Sequence, residues 1–350
     1  MPAARTEVTE IVTGLAMLGF STIRDALEAR PAELHNVAAS HWDRLDEVFA
    51  DGSMDAEFRG AWSNGLAFLG AAVGLRGRRP CLIEWKGPHR TPGYDTVPAD
   101  LRIDHVYLVS CKYLSRILMN VSPAYLFDRM LVDRRGPLPD WYLDVAPAAY
   151  RALYRAVREH LGGDLPGEVE DLVRDDRLAL KEQLVGPWPA ELIGPYLSFC
   201  TEVADASAAR WCLGLTDPGA GEEMLWRLLR LSGAPYFVLG AAPGDVLRLR
   251  IYTPWDWRQE FALRSFEVWG DAAAGQPVVK WRAVVTRRSD RRELPVEGHV
   301  EIRWSHGRFR KMPEAKVYLD TPHNEVPGYA PLDADDRLSR GLQLGLSLDA

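Results

Sequence analysis

Apolar and polar residues alternate from Tyr236 onward, and this period of two restricts what the last third of the chain can fold into. Successive side chains of a β-strand point to opposite faces, so the alternation predicts strands with one buried face. The segments DVLRLRIY, VVKWRAVVT and VEGHVEIRW follow it, with Arg or Lys at several polar positions. We therefore predict a half-buried antiparallel sheet with a basic exposed face over residues 234–330, and a tail over 331–350.

Helical patterns dominate two regions before the sheet. Residues 1–50 place apolar side chains at helical spacing, which predicts a helical cap or a dimerisation element. Residues 147–233 contain segments that begin with Pro or acidic residues and end at Gly, as helices do. Residues 51–135 combine both patterns, and the fold class is therefore α/β. In this region we predict a helix over 54–73, strands over 80–86, 98–104 and 106–112, and a helix over 122–131.

Composition excludes several classes of protein. The chain of 350 residues is 47% hydrophobic and 26% charged, which is typical of a globular protein and not of a disordered or fibrous one. The four cysteines, Cys81, Cys111, Cys200 and Cys212, are too widely spaced for a CxxC zinc site or a disulfide framework. No apolar run approaches the roughly 20 residues that span a bilayer. A cytoplasmic protein without a membrane span is the expectation.

Charge is distributed unevenly along the chain. The net charge is −7, but residues 276–316 carry eleven Lys and Arg against five Asp and Glu, a local balance of +6 that leaves −13 elsewhere. Such asymmetry is typical of a protein with one surface that faces a polyanion. A solvated Arg-rich sheet face would give the same count.

The segment PADLRIDHVYLVSCK places chemically capable residues on two consecutive predicted strands. Asp100 opens the first strand after Pro98, and the second strand ends in Ser110, Cys111 and Lys112. Residues two apart on a strand share a face. Ser110 and Lys112 are therefore expected to point one way and Cys111 the other way, into the core.

This arrangement resembles the PD-(D/E)XK nucleases, the restriction-endonuclease-like superfamily. In that family an Asp at the start of one strand and a (D/E)xK on its antiparallel neighbour converge on a divalent metal and a water. The predicted order of helix, three strands and helix over residues 51–135 also resembles that core, over less than a quarter of the chain. The resemblance implies a restriction-endonuclease-like core that uses Mg²⁺ or Mn²⁺.

The resemblance also implies roles for individual residues. Asp100 would be a metal ligand, the Cys111 carbonyl would lie within reach of the metal, and Lys112 would orient the attacking water. Glu57 would supply the acid that the family often carries on the preceding helix. A carboxylate-held Mg²⁺ acidifies its bound water, and a lysine ammonium stabilises charge that grows in the transition state.

The sequence departs from the family pattern and leaves alternatives open. Ser110 stands where the family has Glu or Asp, and its neutral oxygen binds Mg²⁺ weakly, so a non-catalytic domain is one alternative. Asp104 is a rival to Asp100 as metal ligand, and strand register decides between them. Glu84 and Lys86 form a second ExK, which either assists the site or makes a cross-strand ion pair.

The functional expectation is a metal-dependent nuclease that acts on DNA in restriction, defence or repair, with a homodimer left open as its assembly. One alternative is a catalytically inactive nucleic-acid-binding or regulatory protein on the same scaffold. Another is an enzyme whose basic sheet binds a small anionic metabolite. Phosphate contacts are expected from basic side chains of the sheet region, namely Arg287, Arg288, Arg291, Arg292, Arg308, Arg310 and Lys311.

Overall fold

The computed structural model describes residues 2–87, 97–113, 117–131, 139–242 and 245–332. The α-helices are α1 (Pro2–Met17), α2 (Ile23–Ala29), α3 (Ala39–Asp51), α4 (Asp55–Gly70), α5 (Trp141–Val145), α6 (Pro147–Leu161), α7 (Arg174–Gln183), α8 (Ala190–Gly214), α9 (Pro218–Leu228) and α10 (Pro254–Glu260). The strands are β1 (Leu34–His35), β2 (Ile83–Trp85), β3 (Leu101–Ile103), β4 (Tyr107–Tyr113), β5 (Ile117–Val121), β6 (Tyr236–Ala242), β7 (Asp245–Ile251), β8 (Phe261–Gly270), β9 (Val278–Arg287), β10 (Glu293–Arg303), β11 (Glu314–Leu319) and β12 (Tyr329–Pro331). The α/β class is confirmed.

The chain divides into two compact units, and each is built from separated segments. Unit 1 comprises Met1–Ser115, Leu231–Trp257 and Gly328–Ala350, and unit 2 comprises Arg116–Arg230 and Arg258–Pro327. Contiguous regions were expected from the sequence. The difference arises because β4 and β6 are neighbours in one sheet although more than a hundred residues separate them. Of the predicted tail over 331–350, residues 333–350 lie outside the described part.

Unit 1 is organised around a seven-stranded mixed sheet with the order β1-β2-β3-β4-β6-β7-β12. β2, β3 and β4 form an antiparallel meander, and β6 pairs parallel to β4. These three strands lie where the sequence predicts them. The helices α1 and α4 contribute to one buried cluster with the sheet, in which Ile11, Phe68, Leu101, Val109 and Leu239 are fully or almost fully buried.

Gly65 allows α4 to approach α1, the helix that carries part of the site described below. A Cβ at this position would lie 2.2 Å from the Thr13 carbonyl oxygen and 2.6 Å from the Ala16 Cβ. Because one of these atoms belongs to the backbone, the helices themselves would have to separate. Gly65→Ala is therefore expected to lower the free energy of unfolding by about 1–3 kcal/mol, measured by urea denaturation.

Gly70→Ala is the matched control on the same helix, since a Cβ there would meet nothing within 4 Å. It should leave stability unchanged or raise it slightly, because alanine favours the helical conformation. Equal destabilisation by both substitutions would contradict the close-packing argument.

Unit 2 contains a five-stranded antiparallel sheet with the order β5-β11-β10-β9-β8. The predicted C-terminal antiparallel sheet is thus confirmed in part: β8 to β11 form it, whereas β6, β7 and β12 belong to the sheet of unit 1. Its apolar face includes Trp281, Val300 and Val317, all fully buried. The helix predicted over 122–131 is a short π-helical segment, Tyr125–Arg129, and belongs to unit 2, whereas the three-stranded meander belongs to unit 1. Among the described residues, the helices are all too short or too polar to cross a membrane.

Candidate active site

The β3–β4 hairpin determines which residues lie beside Asp100. Ile103 lies opposite Tyr107, so the loop consists of three residues, Asp104, His105 and Val106. Asp104 and His105 are left-handed, with φ values of 48° and 58°, and the Val106 N–H closes the turn by donating to the Ile103 carbonyl oxygen at 3.0 Å. The turn sets the register in which Leu101 lies opposite Val109. One residue earlier, the Asp100 N–H donates to the Val109 carbonyl oxygen at 2.8 Å.

The Asp100 carboxylate lies against the end of β4. Its Oδ2 accepts hydrogen bonds from the Ser110 hydroxyl at 3.1 Å and from the Cys111 backbone N–H at 2.8 Å. Lys112 Nζ lies 3.9 Å from the same oxygen, and the Lys112 side chain is 49% exposed. The structure therefore brings together Asp100, Ser110, Cys111 and Lys112, as the sequence predicts.

Cys111 contributes its backbone to this arrangement. Its side chain is buried, and burial raises the pKa of the thiol well above its usual value. The thiol therefore stays protonated at neutral pH, and a protonated thiol is a poor metal ligand. All four cysteines of the chain are free thiols.

Glu10 on α1 is the functional candidate that sequence reasoning missed. Its side chain is buried, and its Oε2 accepts a hydrogen bond from the Trp85 indole N–H at 2.6 Å. Burial, and next the negative charge of Asp100, raise the pKa of Glu10 from 4.5 to about 7, while Lys112 and Lys86 act in the opposite direction. Glu10 thus belongs to the same electrostatic cluster as Asp100. The sequence contains one indication that Glu10 is buried: it directly precedes Ile11 and Val12, which lie on the apolar face of the predicted helix.

Glu10 makes the stability of the protein depend on pH in a defined direction. The folded state binds a proton more tightly than the unfolded chain, so wild-type stability falls as pH rises from about 4.5 through about 7. Each tenfold difference in proton affinity between the folded and the unfolded state changes the free energy of unfolding by about 1.4 kcal/mol. Glu10→Gln keeps an acceptor for Trp85 without the buried charge, and should exceed wild-type stability at pH 8 by up to about 3 kcal/mol.

Urea denaturation in the presence of EDTA at pH 5 and pH 8 measures this effect. At pH 5 the two proteins should differ much less, because Glu10 is mostly neutral in the folded wild type. Glu57→Gln is the control, since it removes an acid from an ion pair. A stability difference for Glu10→Gln that is the same at both pH values would contradict the assignment.

Two other predicted acids, Glu57 and Asp104, have structural partners elsewhere. Glu57 forms an ion pair with Arg5 at 3.2 Å. Asp104 follows β3 at the end opposite Asp100, and its Oδ1 accepts the backbone N–H groups of Cys81 and Leu82 at 2.8 and 3.1 Å. The structure therefore does not bring Asp104 together with Asp100.

The second ExK forms a cross-strand ion pair. Glu84 of β2 lies opposite Arg102 of β3 in the sheet register and accepts a hydrogen bond from it at 2.7 Å. The hydrogen bonds from Arg102 are the largest cause that lowers the pKa of Glu84 below its usual value. Of the two readings left open by the sequence, the structure shows the ion pair.

The acids at this site fit a hard divalent cation. Among the described residues, three or more His, Cys, Asp or Glu side chains nowhere come together as a metal-holding group. Mg²⁺ is nevertheless commonly held by one or two carboxylates, with water and substrate phosphate completing its shell. Asp100 and Glu10 are the two carboxyl groups that could supply such ligands: the charge of Asp100 acts on the buried Glu10, and the Ser110 hydroxyl holds one Asp100 oxygen in place.

The exposed face of the sheet in unit 2 is charge-compensated. Arg282 lies opposite Glu297 in the register and pairs with it at 3.3 Å. Lys280 pairs with Asp271 at 2.7 Å. The expected basic face is therefore not observed, because acids outside the +6 segment or on neighbouring strands lie beside its bases.

Four of the predicted phosphate contacts surround the turn between β9 and β10. Arg287 pairs with Asp290 at 3.4 Å, and the Arg288 guanidinium donates to two backbone carbonyl oxygens. Arg291 and Arg292 are exposed, and their side chains have no partner among the described residues. Only the last two are therefore available to bind a ligand without breaking an existing contact.

The remaining three predicted contacts follow β10. Arg308 donates to the Gly186 carbonyl oxygen at 2.6 Å and its guanidinium lies 3.9 Å from the centre of the Trp188 ring, so it is fixed within the fold. Arg310 is half-buried and Lys311 is exposed. Both line a cleft that is described below.

Comparison of the chain with models of protein families, with curated proteins and with solved structures gave no match.

Proposed function

We propose that this protein is a metal-dependent phosphodiester hydrolase that acts on DNA, with its active site at Asp100. The observation that carries the proposal is the Lys112 ammonium 3.9 Å from the Asp100 carboxylate, together with a buried acid, Glu10, whose pKa responds to the charges of both. Asp100 precedes β3, Lys112 lies on β4, and Glu10 extends from α1, with the pKa of Glu10 raised by burial and by the charge of Asp100. Such perturbed acids are concentrated at functional sites.

Each group has a defined part in the proposed reaction. Asp100 and Glu10 would hold Mg²⁺ or Mn²⁺, which when bound acidifies a water and neutralises charge on a non-bridging phosphate oxygen. Lys112 is half-exposed, so its ammonium can reach solvent and the substrate while staying 3.9 Å from Asp100. It orients the attacking water and stabilises the charge that develops in the transition state.

One part of the predicted core supports the resemblance to the PD-(D/E)XK nucleases, although the helix expected after the three strands belongs to unit 2. The helix α1 contacts the first and third strands of the antiparallel meander, Asp100 directly precedes the second strand, and Lys112 lies on the third. In this proposal Glu10 takes the position that the sequence assigned to Glu57. Glu10 also compensates for Ser110, because it supplies the second carboxylate that the motif lacks.

A catalytically inactive nucleic-acid-binding protein is the second candidate. It is favoured by the hydrogen bonds that Ser110 and Cys111 donate to Asp100 Oδ2, since these satisfy an oxygen that would otherwise bind metal. The two candidates differ in a single property, which is turnover.

Incubation of the purified protein with supercoiled plasmid, linear duplex and single-stranded DNA tests the proposal. Cleavage is expected with Mg²⁺ or Mn²⁺ and none with EDTA. A gel shift in Ca²⁺ measures binding without turnover. Binding without cleavage in any metal would favour the inactive alternative, and the absence of both would contradict a role on DNA.

A further inference from the structure

Unit 2 contains a cleft of about 570 Å³ that lies outside the Asp100 site. It is lined by four basic residues, two acidic residues and one methionine. The volume is within the range of small-ligand pockets, which are commonly about 300–1,000 Å³. The distribution of charge within the cleft indicates what kind of ligand it can take.

The two acids of the cleft are engaged by the protein itself. Asp140 accepts the Tyr142 backbone N–H at 3.1 Å and so caps the first turn of α5. Glu314 accepts a hydrogen bond from the Asn120 amide at 3.2 Å and lies 3.4 Å from His306 Nε2. Both carboxylates are therefore already engaged by the protein, and neither is free to bind a cation from solution.

The basic side chains of the cleft are not all engaged by the protein in this way. Arg177 is fixed, because its guanidinium donates to the backbone carbonyl oxygens of Phe309 at 2.9 Å and Leu172 at 3.2 Å. Arg310 and Lys311 have no acidic partner among the described residues, although both line the cleft. Guanidinium and ammonium groups are the usual protein ligands of a phosphate group, and Arg310 and Lys311 supply one of each to the cleft.

We propose that this cleft binds the phosphate ester of a small ligand, of the size of a mononucleotide. Arg310 and Lys311 contact the phosphate oxygens, and the fixed Arg177 adds positive potential behind them. Met312, which is 54% exposed, provides an apolar wall for the organic part of the ligand. This site is independent of the proposed hydrolysis, because it uses none of the residues around Asp100.

Isothermal titration calorimetry in EDTA tests the proposal with three probes: inorganic phosphate, adenosine monophosphate and a single-stranded oligonucleotide. Wild type is expected to bind adenosine monophosphate more tightly than phosphate. The double variant R310Q/K311Q should weaken this binding at least tenfold, while circular dichroism reports an unchanged fold. The double variant R291Q/R292Q removes the same charge from an exposed turn of the same unit and should bind adenosine monophosphate as wild type does.

The outcomes separate the sources of the phosphate. Loss of binding in both double variants would show a general charge effect and overturn the proposal. Binding of the oligonucleotide but not of the mononucleotide would assign these residues to a nucleic-acid backbone and also overturn it. Failure of wild type to bind either phosphate or the mononucleotide would do the same, whatever the result of the cleavage assay.

Discussion

Asp100→Asn is expected to reduce metal-dependent DNA cleavage at least about a hundredfold, whereas Asp104→Asn should leave the cleavage rate near that of wild type. Asparagine has the shape of aspartate and can still accept the hydrogen bonds from Ser110 and Cys111, so the fold at Asp100 persists. It lacks the negative charge that holds a divalent cation. Calorimetric titration with Mg²⁺ should therefore show weaker binding for Asp100→Asn only.

Asp104→Asn provides the matched control because its effect should fall on stability. The Asp104 carboxylate accepts two backbone N–H groups, from the two residues just before β2, and hydrogen bonds to a charged acceptor are stronger than those to a neutral one. Its free energy of unfolding should drop by about 1 kcal/mol in urea denaturation. A folded Asp104→Asn protein without activity, beside an active Asp100→Asn protein, would place the metal-binding acid at the hairpin turn.

Local patterns in the sequence were sufficient to place the strands that carry the motif. The predicted ranges 98–104 and 106–112 contain β3 entirely and β4 except for its last residue. The register was not predictable, because it depends on the backbone conformation of Asp104 and His105, neither of which is the glycine that usually marks such a turn. Once the turn is known, Asp100 and not Asp104 lies beside Ser110.

Long-range pairing explains what the sequence could not provide. YFVLGAA reads equally well as part of the C-terminal sheet, but β6 pairs parallel to β4 and extends the sheet of unit 1. Glu10 was missed for a related reason. Its significance comes from Trp85 and Asp100, which are distant in sequence and lie beside it only in the folded chain.

Charge counts along the sequence failed for a different physical reason. The +6 balance over residues 276–316 ignores which side chains face each other across strands. Arg282 lies opposite Glu297, and Lys280 reaches Asp271, a residue outside the counted segment. The net charge of a segment therefore predicts its electrostatic field at long range. Which of its basic side chains remain available to a ligand depends on strand register, because register decides which of them lie opposite an acid. Arg291, Arg292, Arg310 and Lys311 are the members of the predicted set whose side chains have no partner among the described residues.

Lys112→Ala is expected to lower the cleavage rate at least about a hundredfold while leaving the fold, Mg²⁺ binding and DNA binding in Ca²⁺ close to those of wild type. The Lys112 ammonium lies 3.9 Å from Asp100 on a half-exposed side chain, so its removal creates no cavity and leaves both carboxylates in place. What is lost is stabilisation of charge in the transition state, which affects turnover and not affinity.

Lys86→Ala is the control that separates the two ExK motifs. Lys86 also contributes positive potential at Glu10, but the acid of its motif, Glu84, is already paired with Arg102 across the strands. Its removal should change the cleavage rate by less than about tenfold, since the water-orienting role belongs to Lys112 in the proposed reaction and Lys86 adds to the positive potential at Glu10. A larger loss for Lys86→Ala than for Lys112→Ala, in folded proteins that still bind Mg²⁺, would transfer the water-orienting role to β2. Equal and complete losses in both would indicate that the two ammonium groups act together on the substrate phosphate.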